Sequence, residues 1–361
     1  MEVVYIKNSN GIIAGLMALM FVFGAGTAVI GTKISVPEEN VIATSAEALQ
    51  YGSLSYKVED NDTITITGFD DSVTEVEIPA EIDGKKVMTI GQGAFKNKKL
   101  TAVTIPDSVT SIGYQAFYSC KNLTALSMPD SIIELGGECF SNCTSLQSVK
   151  FSNSLTELGG FSGCTSLEEI TIPSSVRTTK LNAFNGCTSL TSVTIPSTVN
   201  TIGQGAFSNC RSLKSVTIEE GVQTIGDSAF SSCYALVSVT VPESVVTING
   251  SAFYYCQALK EITILNPSCN INSGNATITN GYNGYTGVIY GAEDSTAQAF
   301  AESKNYTFQS ISSKPRKGDM NNDGNVDAVD GSIILSYYAY LSTLTEGETS
   351  MDIDAFQASG Q

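Results

Sequence analysis

A 23-residue repeat constrains the fold of this chain more than any other sequence feature. The segments AFSNCRSLKSVTIEEGVQTIG (206–226) and AFSSCYALVSVTVPESVVTIN (229–249) match almost position for position. The same pattern of Phe, Cys and Leu occurs eight times, once in a shortened form at Gly159-Gly160-Phe161. A unit of this size cannot bury its own apolar face, whereas stacked units bury a shared one. The repeat therefore predicts a solenoid.

Each turn of the solenoid is predicted to contain one short parallel strand. Leu190 precedes an alternating run, Val193-Thr194-Ile195, whose apolar side chains are expected to face the core. Pro196 ends the strand because its nitrogen cannot donate a hydrogen bond to a neighbouring strand. Neighbouring strands lie about 4.8 Å apart, so equivalent Phe side chains are expected to form an internal ladder. The members of this ladder are Phe95, Phe117, Phe140, Phe161, Phe184, Phe207, Phe230 and Phe253.

Seven of the nine Cys residues occupy one column of the repeat, and Lys98 takes the first position of that column. This pattern favours small buried hydrophobic side chains, although adjacent turns are close enough in principle for some disulfides. Cys139 stands where other repeats have Ala, and Cys269 lies beyond the last Phe of the ladder. The chain has no His, so these thiols lack the usual general base that would make one of them a nucleophile.

The repeat consensus IGxxAFxxCxxLxxVxIPxSV resembles the leucine-rich repeat of bacterial surface proteins of the BspA type, over residues 76–266. The resemblance implies a leucine-rich repeat solenoid in a secreted or surface-attached protein with a role in adhesion or protein binding. Thr179, where Ile or Leu is expected, and Glu219, where Pro is expected, depart from the pattern. Both departures are expected to cost local packing and to leave the fold intact.

An N-terminal cap is predicted over residues 47–75. LSYKV (54–58) and TITITGF (63–69) alternate apolar and polar residues on either side of a polar turn. Two such runs predict a β-hairpin that covers the first turn of the solenoid.

A C-terminal cap is predicted over residues 267–311. STAQAFAESKN (295–305) begins with Ser and predicts a short amphipathic helix, and YTFQSI (306–311) predicts a strand after it. The stretch 266–287 is rich in Asn, Gly and Tyr and is expected to form an irregular loop.

The outward side chains of the strands predict a polar binding face for another protein or for a cell or substrate surface. Its central column is mostly Thr, and this column lacks the aromatic platform on which sugar rings usually stack. Exposed Tyr side chains elsewhere, at Tyr118, Tyr234, Tyr254 and Tyr255, are either a contact patch or ordinary turn residues. The candidate binding residues of the column are Thr171, Thr194, Thr217, Thr240 and Thr263.

Charge and surface pattern exclude some function classes. The formal net charge of −17 repels phosphate backbones and argues against nucleic-acid binding. Glu168-Glu169 and Glu219-Glu220 are carboxylate pairs, but they are expected on a regular surface with no evident cleft. Glycosidase carboxylates instead flank a substrate at a set separation. The sequence therefore predicts a protein that is not an enzyme.

The N-terminal residues 1–46 predict a secretory signal and a polar lead-in. Lys7 precedes an uncharged stretch from 8 to 32, with cleavage expected after a small residue such as Ala28 or Ala46. The alternative is an uncleaved anchor, since about 20 apolar residues can span a bilayer. After cleavage the protein would be extracellular and would have no membrane segment.

The segment 318–361 contains a predicted calcium loop with the spacing D-x-N-x-D-G-x5-D. Ca²⁺ takes six to eight oxygen ligands, and alternate loop positions supply them while Gly324 makes the sharp turn. Position 12 is Asp rather than the usual Glu. The alternative is an acidic turn that is merely solvated. The candidate ligands are Asp319, Asn321, Asp323, Asn325, Asp327 and Asp330.

The loop resembles that of a dockerin, a module that attaches exported proteins to the cohesins of a cellulosome scaffold. The resemblance extends over the end of the loop and the predicted helix, DAVDGSIILSYYAYLST (327–343). The resemblance implies a cohesin partner contacted by the helix and by two loop positions, with 312–317 as the linker. Dockerins usually carry two loop-helix repeats, and this chain has one, which would bind weakly, bind differently or not bind. The implied contact residues are Ala328, Val329, Ile333 and Tyr337.

Together these features predict an exported leucine-rich repeat protein for adhesion or protein binding, tethered through a calcium-dependent dockerin-like segment. The rival within this class is a free or wall-associated adhesin whose half-dockerin does not dock. A polysaccharide-degrading hydrolase is the least favoured alternative, because repeats, caps and linker account for nearly every residue after the signal.

Overall fold

The computed structural model describes residues 6–7, 13–14 and 49–313, apart from 71–72, 275 and 283. The chain divides into two units, Met1–Glu47 and Ala48–Gln361. The predicted calcium loop, the contact residues of the dockerin-like segment and most of the predicted signal lie outside the described residues. In the first unit, Ile6–Lys7 and Ile13–Ala14 pair as antiparallel strands.

The described part of the second unit, from 49 to 313, is a solenoid of about 11 turns, each with a strand position in a long ladder. Val193 and Ile195 are buried and Thr194 is exposed, as the predicted alternation requires. The parallel pairing is in register between paired repeats, with Val193 opposite Val216. Ala102–Thr104 and Ala125–Ser127 belong to separate two-stranded sheets, so the ladder is interrupted between them. Residues 168–172, in the shortened repeat, are not in a strand, so the ladder is interrupted there. The strands of the long ladder are Glu75–Glu77, Ala102–Thr104, Ala125–Ser127, Ser148–Lys150, Ser192–Ile195, Ser215–Ile218, Ser238–Val241, Glu261–Ile264, Val288–Gly291 and Thr307–Ser310.

Each repeat also contributes a second strand, so the prediction of one strand per turn is wrong. Thr201 and Ile202 pair in register with Thr224 and Ile225, and Ile202 is buried. Most of these strands span only two residues, too few for the alternation that identifies a strand in sequence. This short ladder comprises Ile64–Phe69, Lys85–Ile90, Ser111–Ile112, Glu134–Leu135, Glu157–Leu158, Thr178–Thr179, Thr201–Ile202, Thr224–Ile225, Thr247–Ile248 and Asn270–Ile271.

The third side of each turn is the Ala-Phe segment, which is hydrogen-bonded to the next repeat. The backbone N–H of Phe207 donates to the carbonyl of Ala229 at 2.8 Å, and that of Asn209 donates to Ser231 at 2.7 Å. Asn209 has a φ of 59°, in the left-handed region, and equivalent residues in the other repeats share this conformation. Small or amide side chains tolerate that conformation best.

The predicted Phe ladder is confirmed and forms the centre of the core. Consecutive rings lie 4.7 to 5.7 Å apart between centroids and are nearly parallel, as between Phe184 and Phe207 at 10°. All eight rings are buried. Each contributes on the order of 2 kcal/mol by burial, and offset stacking adds to that value.

The nine Cys residues are buried and free, which confirms the hydrophobic interpretation over the disulfide alternative. Besides packing in the core, most of their thiols donate hydrogen bonds. Seven of them donate to the carbonyl oxygen of the Phe in the preceding repeat, as Cys233 does to Phe207 at 3.2 Å.

The predicted N-terminal hairpin is present. Leu54–Val58 pairs antiparallel with Ile64–Phe69, and Leu49–Tyr51 adds a third strand at its outer edge. Ile64–Phe69 then pairs in parallel with Lys85–Ile90, so the hairpin closes the first turn through the short ladder. A further two-residue strand, Glu81–Ile82, turns back on Lys85–Ile90.

The C-terminal region continues the solenoid instead of forming a separate loop. Asn270–Ile271, within the stretch 266–287 expected to be irregular, extends the short ladder. Val288–Gly291, directly after that stretch, extends the long one. The predicted helix is present as Thr296–Lys304, with Ser295 accepting a hydrogen bond from the Gln298 N–H at its start. Thr307–Ser310 adds the last strand, and Ile311–Ser313 forms a 3₁₀ turn.

The shortened repeat is accommodated by close packing around Gly160. This residue has a φ of +96°, and a Cβ atom there would lie 2.6 Å from the Cys139 Sγ. Cys139 therefore fills the space beside the deletion, which explains why this repeat has Cys where others have Ala. Lys180 crosses the same region and donates to the carbonyl of Leu135 at 2.9 Å. Its ammonium also pairs with Glu157 at 3.2 Å.

Candidate binding surfaces

Three of the predicted Thr residues form a continuous outward row on the long ladder. Thr194, Thr217 and Thr240 are exposed and occupy equivalent strand positions, and we call this row the Thr face. Thr171 is exposed but lies in the part of the shortened repeat that is not in a strand.

Thr263 does not belong to this exposed row, so its predicted place on the binding face is wrong. Only 5% of the residue is exposed. The register places Tyr290 beside it on the next strand, and the larger side chain shields the Thr. The Thr face therefore ends before the C-terminal turns.

A polar cleft of about 640 Å³ lies beside the interruption of the long ladder. Glu168, Glu169 and Lys214 line it together with Gln, Ser and Thr side chains. The expectation that the Glu168-Glu169 pair lies on a regular surface with no cleft is therefore wrong. A surface with both charge signs and many hydroxyl groups is suited to hydrogen bonding with a polar partner.

The second carboxylate pair has a structural role. Glu219 Oε2 accepts a hydrogen bond from the backbone N–H of Ser197 at 2.9 Å. Glu220 accepts from the backbone N–H groups of Glu243 and Ser244 at 3.1 and 3.0 Å. These bonds connect loops of adjacent repeats and account for both side chains.

A cluster of four Tyr side chains lies near the C-terminal end of the solenoid. The ring of Tyr255 lies 5.7 Å from that of Tyr234, 5.9 Å from that of Tyr254 and 4.8 Å from that of Tyr282. We call these four residues the Tyr cluster. The Arg211 guanidinium lies over the Tyr234 ring at 5.4 Å. Tyr234, Tyr254 and Tyr255 were predicted as exposed, but they are half-buried. Tyr282 is exposed and was missed because it follows the last recognisable repeat.

Tyr118, the remaining predicted Tyr, has a different environment. Lys96 lies over its ring at 5.1 Å, which is a local cation–π contact. Tyr118 therefore fits the interpretation as an ordinary turn residue. The Tyr cluster instead borders a cleft of about 540 Å³ whose lining includes Tyr254, Thr279, Tyr282, Ser303, Lys304 and Tyr306.

Within the described part of the chain, no group of three or more Cys, Asp or Glu side chains could hold a metal ion. The predicted calcium ligands, within residues 319–330, lie outside the described ranges. No helix among the described residues is long and apolar enough to cross a membrane.

The repeats match a protein-family model described as a BspA type leucine-rich repeat region. The match covers residues 69–190 and 159–276, more than half of the chain. This chain belongs to the BspA-type leucine-rich repeat family. The resemblance seen in the repeat consensus is thereby confirmed. Proteins of this family are binding and adhesion modules rather than enzymes, and they are typically found at the cell surface or outside the cell.

Solved structures with similar chains are also leucine-rich repeat proteins. A leucine-rich cell surface protein from Faecalibacterium prausnitzii is 24% identical, with a TM-score of 0.42, over 78% of this chain and 98% of its own. The leucine-rich repeat protein of T. pallidum is 21% identical, with a TM-score of 0.39, over 73% of this chain and 98% of its own. A comparison with curated proteins gives no match.

Proposed function

We propose that this BspA-type protein is exported and binds another protein, or a cell or substrate surface, through the Thr face. The observation that carries the proposal is the row of Thr194, Thr217 and Thr240, exposed at the same position of consecutive paired strands. A rigid, regularly spaced row of hydroxyl groups offers donors and acceptors with little conformational entropy to lose on binding.

The polar cleft supports the same assignment. It is lined by Thr191 and Ser192 from the repeat that carries Thr194, and by Lys214 from the next repeat. Its Glu168 and Glu169 add negative charge beside the row. A partner that crosses the Thr face would therefore meet hydroxyl groups along the row and charged groups at the interruption of the ladder.

The Thr face is tested with two matched triple variants. Thr194→Lys, Thr217→Lys and Thr240→Lys together place three cations on the face. Asn200→Lys, Gln223→Lys and Val246→Lys make the same number of changes at exposed positions of the same three repeats. Binding to immobilised bacterial cells and surface proteins should fall by about tenfold or more for the first variant only. Equal loss in both variants would show that charge, not the face, decides binding.

We further propose that the segment 318–361 is a calcium-dependent tether of the dockerin type with a cohesin partner. The support is the spacing of Asp319, Asn321 and Asp323 before Gly324, with Asp330 at position 12. The residues 318–361 include no Lys or Arg, so a bound cation would relieve repulsion among their carboxylates. Metal binding would then order the segment, as in other small metal-binding modules.

The tether is tested by calorimetric titration of Ca²⁺ into the chain without its predicted signal. Asp319→Ala with Asp323→Ala should abolish calcium binding, and the control Asp107→Ala with Asp227→Ala should not, since its two carboxylates lie exposed on the solenoid. Binding to a panel of cohesins is then measured with and without calcium. Calcium binding without cohesin binding would favour the rival, a free or wall-associated adhesin with a single loop-helix repeat.

A further inference from the structure

The Tyr cluster departs from the pattern of its own repeats. Tyr255 occupies the position that holds Asn209 and Ser232 in the two preceding repeats. All three residues have left-handed backbone, with φ values of 57°, 59° and 59°. Asn and Ser fit that conformation with little strain, whereas a bulky aromatic residue is an outlier there. Strained aromatic residues of this kind are typical of functional sites.

Hydrogen bonds to the C-terminal turn hold the backbone of Tyr255 in its left-handed conformation. The backbone N–H of Tyr255 donates to the Thr279 Oγ1 at 2.8 Å. The next N–H, of Cys256, donates to the Thr279 carbonyl at 2.9 Å, and the Thr279 N–H donates to Phe253 at 3.1 Å. Thr279 is itself buried. The segment after the last recognisable repeat therefore fixes the position of the Tyr255 ring.

The cluster presents an open ring to solvent beside a polar cleft. Tyr282 is 85% exposed, although an aromatic side chain of this size is normally better covered. The Tyr282 ring lies 4.8 Å from the Tyr255 ring, tilted by 44°, so one side of it packs against the cluster. Next to them, the cleft offers the hydroxyl group of Ser303 and the ammonium group of Lys304. No Asp or Glu occurs among the described residues that line it.

We propose that the Tyr cluster and this cleft bind a neutral oligosaccharide. A sugar ring has an apolar C–H face that packs against the face of an aromatic ring, and hydroxyl groups at its edge that require hydrogen-bond partners. The Tyr282 ring supplies the first contact, and the groups lining the cleft supply the second. The volume of about 540 Å³ lies within the range of sites for small ligands.

An extended peptide strand fits this surface less well. Strand addition requires a free row of backbone donors and acceptors. At the cluster these groups are already paired, since the Ser232 N–H donates to the Tyr254 carbonyl at 2.7 Å. A proline-rich peptide, which needs only aromatic faces, is the competing ligand class and serves as an arm of the test.

The site is tested on the whole chain with cellohexaose, chitohexaose and mannohexaose as probes, and with decaproline as the competing probe. Saturation-transfer NMR detects millimolar binding, and tyrosine fluorescence provides a second readout because the chain has no Trp. We expect at least one hexasaccharide to bind and Tyr282→Ala to weaken its binding about tenfold or more. Tyr255→Asn, which restores the residue type of Asn209, should weaken it as well.

Two controls keep the result specific. Tyr114→Ala removes an exposed ring from a distant repeat and should leave binding unchanged. The triple Lys variant of the Thr face should also leave it unchanged, so failure of the proposed function and failure of this site are distinguishable. The proposal is overturned by absence of binding to all three sugars, by equal binding to Tyr282→Ala, or by cluster-dependent binding of decaproline alone. Because Tyr282 is exposed, its removal does not threaten folding.

Discussion

The thiol of Cys210 donates a hydrogen bond to the carbonyl oxygen of Phe184, one repeat earlier, at 3.2 Å. The Phe184 and Phe207 rings stack beside it at 5.4 Å. The same carbonyl accepts the backbone N–H of Cys187 at 3.2 Å, so the column of thiols gives each buried Phe carbonyl group a second donor. Burial raises the pKa of these thiols, to about 12 for Cys256, and keeps them protonated donors at neutral pH.

The buried thiol column predicts that the native protein resists alkylation. A thiolate is the reactive species, and burial disfavours both its formation and its access to reagent. In iodoacetamide at pH 8 we expect almost no modification of the folded chain, and modification of all nine Cys in urea. Intact-mass spectrometry counts the adducts. Fewer than nine in urea without reductant would instead indicate disulfides.

The same thiols predict a loss of stability at alkaline pH. The folded-state pKa values are raised, so the stabilisation is complete below the unfolded-state pKa, about 8.5, and falls as pH rises above it. Each thiol contributes about 1.4 kcal/mol per pH unit in this window. Urea midpoints between pH 8 and pH 10, in reductant, measure the slope. Cys233→Ala with Cys256→Ala should make the slope shallower, and an unchanged slope would assign it to other groups.

The Phe ladder predicts a large cost for removing one ring. Phe207→Ala leaves a cavity between two stacked rings and should lower the free energy of unfolding by roughly 3–5 kcal/mol. Phe207→Leu retains most of the volume and should cost roughly 1–2 kcal/mol. Urea unfolding monitored by circular dichroism provides both values. Equal small costs would mean that the ring is not part of the cooperative core.

The regular spacing of Phe, Cys and Leu in the sequence predicted the core, because each of these buried positions recurs in many repeats. Individual departures were less accessible to sequence reasoning. Thr179 was expected to cost packing, yet its buried Oγ1 accepts a hydrogen bond from the Gly203 N–H at 2.8 Å. Glu219 replaces Pro, and its backbone N–H donates to the Ile195 carbonyl at 3.0 Å, which Pro could not do. Each residue thus gains a hydrogen bond in place of the interaction that the consensus residue would make. This gain depends on residues in neighbouring repeats, so the sequence pattern alone does not predict it.

Two of the C-terminal strands could not be predicted for a related reason. The repeat pattern fades after Phe253, but backbone pairing does not require it, so Asn270–Ile271 and Val288–Gly291 continue the two ladders. The last strand, Thr307–Ser310, was predicted because the residues around it alternate. The C-terminal turns bring Thr279 and Tyr282 next to Tyr255. A candidate site made from the last repeat and an unrepeated segment has no periodic signature in the sequence.

The contact between Gly160 and Cys139 predicts a compensating pair of substitutions. Gly160→Ala places a Cβ atom 2.6 Å from the Cys139 Sγ and forces an L-residue into a φ of +96°, so it should cost at least about 2 kcal/mol. Cys139→Ala restores the residue of the other repeats and should cost about 1–2 kcal/mol alone, through lost volume. In the double variant the clash is relieved while the backbone strain remains. Urea unfolding of all four proteins should therefore give a favourable coupling of about 1 kcal/mol or more, and additive costs would refute the assigned role of Cys139.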